Sequence, residues 1–165
     1  MKATRIPGQS GITLVESLVA LVIISAGMLG IAGLYVASLK AGRSALIRTE
    51  AVNLVSDMAD RIRANPRAGE AYDTSGYGSG PAKQGCVVDE NCSAEKLAED
   101  DLARWIELVK STLPGGDDVV AEVEYTANPT AGHPDRYEIR VEWREPGEEE
   151  RFSYVLNLHV TKPLL

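Results

Sequence analysis

Gly11-Ile12-Thr13-Leu14-Val15-Glu16, followed by Ser17 to Leu39 (SLVALVIISAGMLGIAGLYVASL), is the stretch that decides how this chain folds. From Ser17 to Leu39 there is no Asp, Glu, Lys or Arg. As a helix at about 1.5 Å per residue the run is roughly 35 Å long, against a bilayer core of about 30 Å. In hydrocarbon every backbone N–H and C=O must be satisfied within the segment, so the run is expected to be a membrane-spanning helix. Glu16 stands just inside it. An ionised carboxylate costs about 2.5–3.5 kcal/mol at mid-bilayer and less near the interface. Glu16 therefore either sits at headgroup level or meets a cation from another chain.

In front of the run lies a short leader, Met1 to Gly11, carrying Lys2 and Arg5. A secretory signal peptide has an apolar region of about 7–15 residues and a small-residue cleavage site behind it. Here the apolar run is longer, and no Ala-x-Ala site follows it. The positive-inside rule places the leader in the cytoplasm and the remainder outside, although Lys40 and Arg43 after the run blunt that bias.

Helical periodicity continues past the run. Ile47, Ala51, Leu54, Val55, Met58 and Ile62 share one face, and Arg43, Arg48, Glu50, Asp57, Asp60, Arg61 and Arg63 fall largely on the other. One helix is expected from Ile12 to about Asn65, roughly 80 Å long at about 1.5 Å per residue. Pro66 ends it, because a proline disfavours helical backbone in the residue before it. Within the membrane half Gly27, Gly30 and Gly33 recur every third residue. They read as a helix-packing groove, as a stretch able to unwind, or as the ordinary glycine content of membrane helices.

Arg67 to Asn91, with Gly69, Gly76, Gly78, Gly80, Pro81 and Gly85, is expected to be a loop. Cys86 and Cys92, the only cysteines, bound its last part; an even count in an oxidising compartment suggests one disulfide closing a small ring. The spacing is not CxxC, which argues against a redox motif or zinc site. The sequon Asn91-Cys92-Ser93 is read as chance. Ser93 is placed as a helix N-cap, with Leu102, Trp105, Ile106, Val109 and Leu113 at helical spacing and Pro114-Gly115-Gly116 as the stop. The acidic run Glu99-Asp100-Asp101 is read as a solvated face rather than a metal site. Three period-two stretches follow: Ala121, Val123, Tyr125; Tyr137, Ile139, Val141, Trp143; and Phe152, Tyr154, Leu156, Leu158, Val160. They predict an antiparallel sheet with one covered and one wet face, the wet face laced by Glu138/Arg140 and Glu142/Arg144. The fold class is α+β: a long N-terminal helix, half membrane-spanning and half amphipathic, packed on an antiparallel sheet of three or more strands with one additional helix.

Chemistry-bearing residues are sparse. His133 lies in a turn beside Pro134 and His159 on the polar side of a strand, neither in a ligand or triad spacing. Trp105 and Trp143 fit apolar periodicities and are expected in the core. No catalysis, cofactor or metal is expected. Net charge is -7, and loss of Lys2 and Arg5 with a leader makes the chain more acidic, which argues against a nucleic-acid partner.

The leader, the Gly11-Ile12-Thr13-Leu14-Val15-Glu16 motif and the long apolar run resemble the processing site of type IV prepilins and pseudopilins. The resemblance implies cleavage by a prepilin peptidase after Gly11 and N-methylation of Ile12, where the family more often has Phe. It implies that Glu16 attracts the free amine of a neighbouring subunit during assembly. Asp57-Met58-Ala59-Asp60-Arg61-Ile62-Arg63-Ala64-Asn65-Pro66, with Leu113-Pro114-Gly115-Gly116, is similar to PilV-type minor pilins, the pilus modification proteins. Many major pilins carry a proline in the first helix, and this chain has none there. The implied organisation is a cleaved leader (1–11), a transmembrane and assembly half-helix (12–39) and an extracytoplasmic globular domain (40–165). Implied partners are prepilin peptidase, other minor and major pilins, the inner-membrane assembly platform and membrane lipid. The implied location is the inner membrane in a single pass, then the filament. Type II secretion pseudopilins share the same leader and helix. A membrane-tethered periplasmic binding module that never polymerises is the reading from a different class.

Overall fold

In the computed structural model, residues 13–75, 80–86, 91–130 and 132–163 are described. The apolar run and the amphipathic stretch form one helix, α1, Leu14–Ala64. The chain divides into two units, Met1–Arg43 and Ser44–Leu165, and α1 contributes to both. The expected start at Ile12 lies outside the described residues; the expected end holds to one residue, with the Asn65 N–H donating to the Arg61 carbonyl.

In the first unit every side chain of α1 from Leu14 to Gly42 is exposed. In the second, α1 buries Ala51, Leu54, Val55, Met58, Ala59 and Ile62, a 3-1-3-1-3 spacing that keeps one stripe inward. Ile47 packs at its margin. Arg61 and Arg63 in the last turn complement the negative end of the helix dipole.

The second helix, α2, runs Ala94–Thr112. Ser93 caps it as expected, its hydroxyl accepting from the Lys96 N–H. Ala98, Leu102, Trp105 and Val109 face inward. Trp105 is fully buried, and its indole donates to the Leu54 carbonyl of α1 at 2.8 Å. Three strands, β1 Val120–Thr126, β2 Asp135–Arg144 and β3 Arg151–Val160, form an antiparallel sheet in the order β1-β2-β3. The register aligns Val123, Ile139 and Leu156, then Tyr125, Tyr137 and Leu158. The covered face of this sheet, the α1 stripe and the inner face of α2 make one apolar core. On the wet face Arg140 bonds Glu122 at 2.7 Å from directly across the strands and lies 3.6 Å from Glu142. The charges along β2 thus pair as Arg136–Glu138 and Arg140–Glu142 rather than as the expected Glu138/Arg140 and Glu142/Arg144, and Glu122 adds a cross-strand partner.

Two expectations need correction. The segment taken as loop from Arg67 contains a 3-10 helix, Gly69–Tyr72. Gly69 opens it at φ +56°, a backbone shape that suits glycine, so a residue read as a breaker instead starts an element. The element exists to seat Tyr72, which is fully buried, with its hydroxyl 3.0 Å from Asp101 and 3.3 Å from the Arg61 carbonyl. The acidic run is not a solvated face either. Asp100 is only 2% exposed, and Asp101 holds Arg61 and Tyr72. At about 100° per residue Asp100 points roughly opposite the core face of α2. It is buried because the segment 80–86 lies over that side of the helix.

Candidate functional site

Two features outside the core carry chemistry: the exposed first part of α1, and the clamp that holds segment 80–86 on α2. The first begins at Thr13, whose hydroxyl accepts from the Glu16 N–H at 3.3 Å and whose carbonyl accepts from the Ser17 N–H. Thr13 is therefore the N-cap and Glu16 the third helical residue, the spacing of a capping box. A carboxylate in the first turn gains about 0.3–1 kcal/mol from the helix dipole. Glu16 thus has a structural reason to sit there, legible in Thr13-x-x-Glu16 and passed over in the sequence reading. Among the described residues no cation lies on the Glu16 carboxylate. Gly11 and Ile12, the expected cleavage and methylation positions, lie outside the described residues.

Behind Glu16, α1 is long and apolar enough to cross a membrane, with a mean hydropathy of 2.3 over its best window and none of that window buried. The one polar side chain near its middle, Ser25, returns its hydroxyl to the Leu21 carbonyl at 2.7 Å, which removes its need for an outside partner. A Cβ added at Gly27, Gly30 or Gly33 meets nothing within 4 Å. Among the described residues no packing contact requires glycine at these positions.

The clamp is built on Asp100. One carboxylate oxygen accepts from the N–H groups of Gln84 (2.8 Å) and Gly85 (3.0 Å); the other accepts from Arg104 at 2.7 Å. Burial opposes the charge, but Arg104 and the two N–H groups outweigh it and hold the carboxyl below its usual range. Lys83 pairs with Glu107 and Gln84 with Glu99 alongside. Cys86 and Cys92 are bonded to each other, closing the ring between this segment and α2. A second buried acid, Glu145 at the end of β2, accepts from Ser44 at 3.0 Å and lies 3.8 Å from Arg48, whose guanidinium sits 4.7 Å above the Phe152 ring. Neither Asp100 nor Glu145 was singled out as buried by periodicity, because Asp100 is covered by the segment 80–86 and Glu145 is met by Ser44 and Arg48 of α1.

His133 and His159 are exposed, and Trp105 and Trp143 lie in the core, as expected. Among the described residues no group of three or more His, Cys, Asp or Glu is arranged to hold a metal. A cavity of about 470 Å³ lies open between Pro81, Ile106, Lys110 and Asp117.

Compared with known proteins, the chain matches two family models that abut. Residues 6–32 match the prokaryotic N-terminal methylation motif, and residues 33–103 match type IV pilin Tt1218. No curated protein and no solved structure matches it. The first match runs from residue 6 into the exposed apolar helix and implies processing by a prepilin peptidase and pilin-type partners. The second runs from α1 through the clamp into α2 and belongs to a structural rather than an enzymatic family. The two matches, together with a long N-terminal apolar helix, a second helix and a three-stranded antiparallel sheet, support a type IV pilin.

Proposed function

We propose that this pilin is a minor subunit of a type IV pilus, with no catalytic activity of its own. It is stored in the inner membrane, leader side in the cytoplasm and globular domain in the periplasm. Prepilin peptidase cuts after Gly11 and methylates Ile12. The subunit then enters the filament or primes its assembly on the inner-membrane platform, among other minor and major pilins, and supports pilus biogenesis, twitching motility and adhesion. The Asp57–Pro66 segment favours this reading over a type II secretion pseudopilin.

One observation carries the proposal: a helix whose side chains are exposed over its whole apolar length, headed by a carboxylate with no cation on it among the described residues. Moving such a helix from lipid to a bundle of like helices changes its apolar environment little, so hydrophobicity alone selects poorly between the two. The charge pair does select. An ion pair in low dielectric is stronger than in water and offsets its burial cost only when both partners are present. Glu16 and the amine exposed by cleavage on a neighbour form that pair. Gly27, Gly30 and Gly33 let neighbouring backbones approach within the bundle.

The test is incorporation. Glu16→Gln and wild-type chains are expressed to equal levels in a piliated strain lacking its own copy. The wild type should appear in sheared filaments; the variant should insert in the membrane normally but fall at least fivefold in the filaments. Equal amounts in the filaments would remove the role given to Glu16. Absence of the wild type from sheared pili would leave the pseudopilin or tethered-module reading.

A further inference from the structure

The two edges of the sheet are treated differently. On the β1 edge, the Thr74 N–H donates to the Val123 carbonyl at 2.8 Å, the Val123 N–H donates to the Thr74 hydroxyl at 3.0 Å, and the Tyr125 N–H donates to Asp73 at 3.0 Å. That edge is closed. On the β3 edge, among the described residues, no backbone hydrogen bond leaves the strand on the side away from β2. Sheet edges are normally blunted by lysine, proline, a bulge or a covering segment. Among the described residues no segment covers β3. The strand opens on Arg151 and is followed by Lys162-Pro163, but from Phe152 to Val160 it carries no Asp, Glu, Lys, Arg, Gly or Pro and is rich in aromatic and branched residues. Its core-facing Phe152, Tyr154 and Leu156 are only half-buried, whereas Trp143, Val141 and Ile139, their partners on β2, are buried. A cavity of about 240 Å³ opens beside them, lined by Val52, Trp143, Phe152 and Tyr154, with the Arg48 guanidinium at its wall over the Phe152 ring.

We infer that the β3 edge is a strand-addition site, which takes an extended segment of a different chain as a fourth strand. The unpaired N–H and C=O groups of β3 recognise extended backbone, whatever its side chains. Side-chain selection comes from two places. Alternate apolar residues of the incoming strand cover Phe152, Tyr154 and Leu156 and fill the cavity by Val52, since successive side chains of a strand point to opposite faces. At the turn end, Glu149 and Glu150 are exposed and in no ion pair among the described residues, although Arg151 and its cross-strand partner Arg144 lie at the same end; the two free carboxylates favour a basic residue at that end of the incoming segment. The ligand is thus an extended stretch of five or more residues with alternating apolar positions and a lysine or arginine at one end. The site lies wholly within residues 44–163 and stands apart from the role of Glu16.

The probe is a nine-residue synthetic peptide alternating valine and threonine, with two lysines at one end. It is titrated onto the full chain in detergent micelles, and amide hydrogen exchange is read by mass spectrometry. Exchange over Arg151–Val160 should slow at least tenfold at saturation. The same peptide N-methylated at alternate residues keeps its side chains but loses main-chain donors, and it should give no protection. Replacing its lysines by glutamates should weaken binding at least fivefold, and the Glu149→Lys/Glu150→Lys chain should reverse that order. Equal protection by the N-methylated peptide, or protection confined to residues 80–111, overturns the proposal. So does concentration-dependent protection of β3 without peptide, which would make a second copy the occupant.

Discussion

Replacing Asp100 by alanine tests whether the segment over α2 is held by charge. The carboxylate accepts two backbone N–H bonds and one guanidinium bond at 2.7–3.0 Å, and it is 2% exposed. Removing one partner of a buried, hydrogen-bonded charge costs about 3–5 kcal/mol, and each stranded buried donor about 1–3 kcal/mol. Arg104 is partly in water and the stranded N–H groups can be rehydrated, so the low end applies: about 3 kcal/mol. At a urea slope of ~2 kcal/mol per molar this lowers the unfolding midpoint by about 1.5 M. Asp100→Asn keeps shape and one acceptor and should lose about half as much. Because the folded carboxyl titrates below its usual range, the folded state binds fewer protons than the unfolded one as pH falls through the acid range. The contribution is therefore full at neutral pH and is lost progressively below about pH 4, the ordinary aspartate range. The wild type should lose its advantage over Asp100→Asn there. The assay is urea unfolding of the full chain in micelles at pH 7 and pH 3, followed by fluorescence of the buried Trp105 and Trp143. A loss below 0.5 kcal/mol for Asp100→Ala, or an advantage over Asp100→Asn that does not shrink at pH 3, would refute the clamp.

Trp105→Phe removes the bond to the Leu54 carbonyl and part of the ring, and should cost about 2 kcal/mol by the same unfolding assay. Reducing Cys86–Cys92 opens a ring of sequence separation 6 and should cost about 2 kcal/mol, with early exchange of amides 80–86 in hydrogen-exchange measurements. A Cβ at position 30 meets nothing within 4 Å among the described residues, so Gly30→Leu should leave the unfolding midpoint unchanged while lowering recovery in sheared filaments several-fold, as read by quantitative immunoblot.

Periodicity carried most of the fold. A charge-free run can only be a helix in lipid, the stripe from Ala51 to Ile62 repeats every three or four residues, and three period-two runs pair in one register. What was not legible depended on covering segments without a period. Asp100 points away from the core of α2 and reads as a solvated acid, yet the unsatisfied N–H groups of Gln84 and Gly85 need an acceptor there. Tyr72 is one apolar residue among glycines, and only its place between Arg61 and Asp101 explains it. Glu145 follows a strand and precedes Pro146, a turn position by sequence, but Ser44 and Arg48 come to it from α1. At the stem the apolar run and Glu16 were plain. The cap at Thr13 was visible in its spacing, and it gives Glu16 a structural reason to be acidic.

The central claim is that this chain is a stored, cleaved and methylated stem. The most direct measurement is the intact mass, with N-terminal fragmentation, of the chain purified from cells with active prepilin peptidase. The account predicts a mature protein beginning at N-methylated Ile12 with residues 12–165 retained. A chain that still begins at Met1, or one cut behind Leu39 so that the apolar helix is lost, would contradict it.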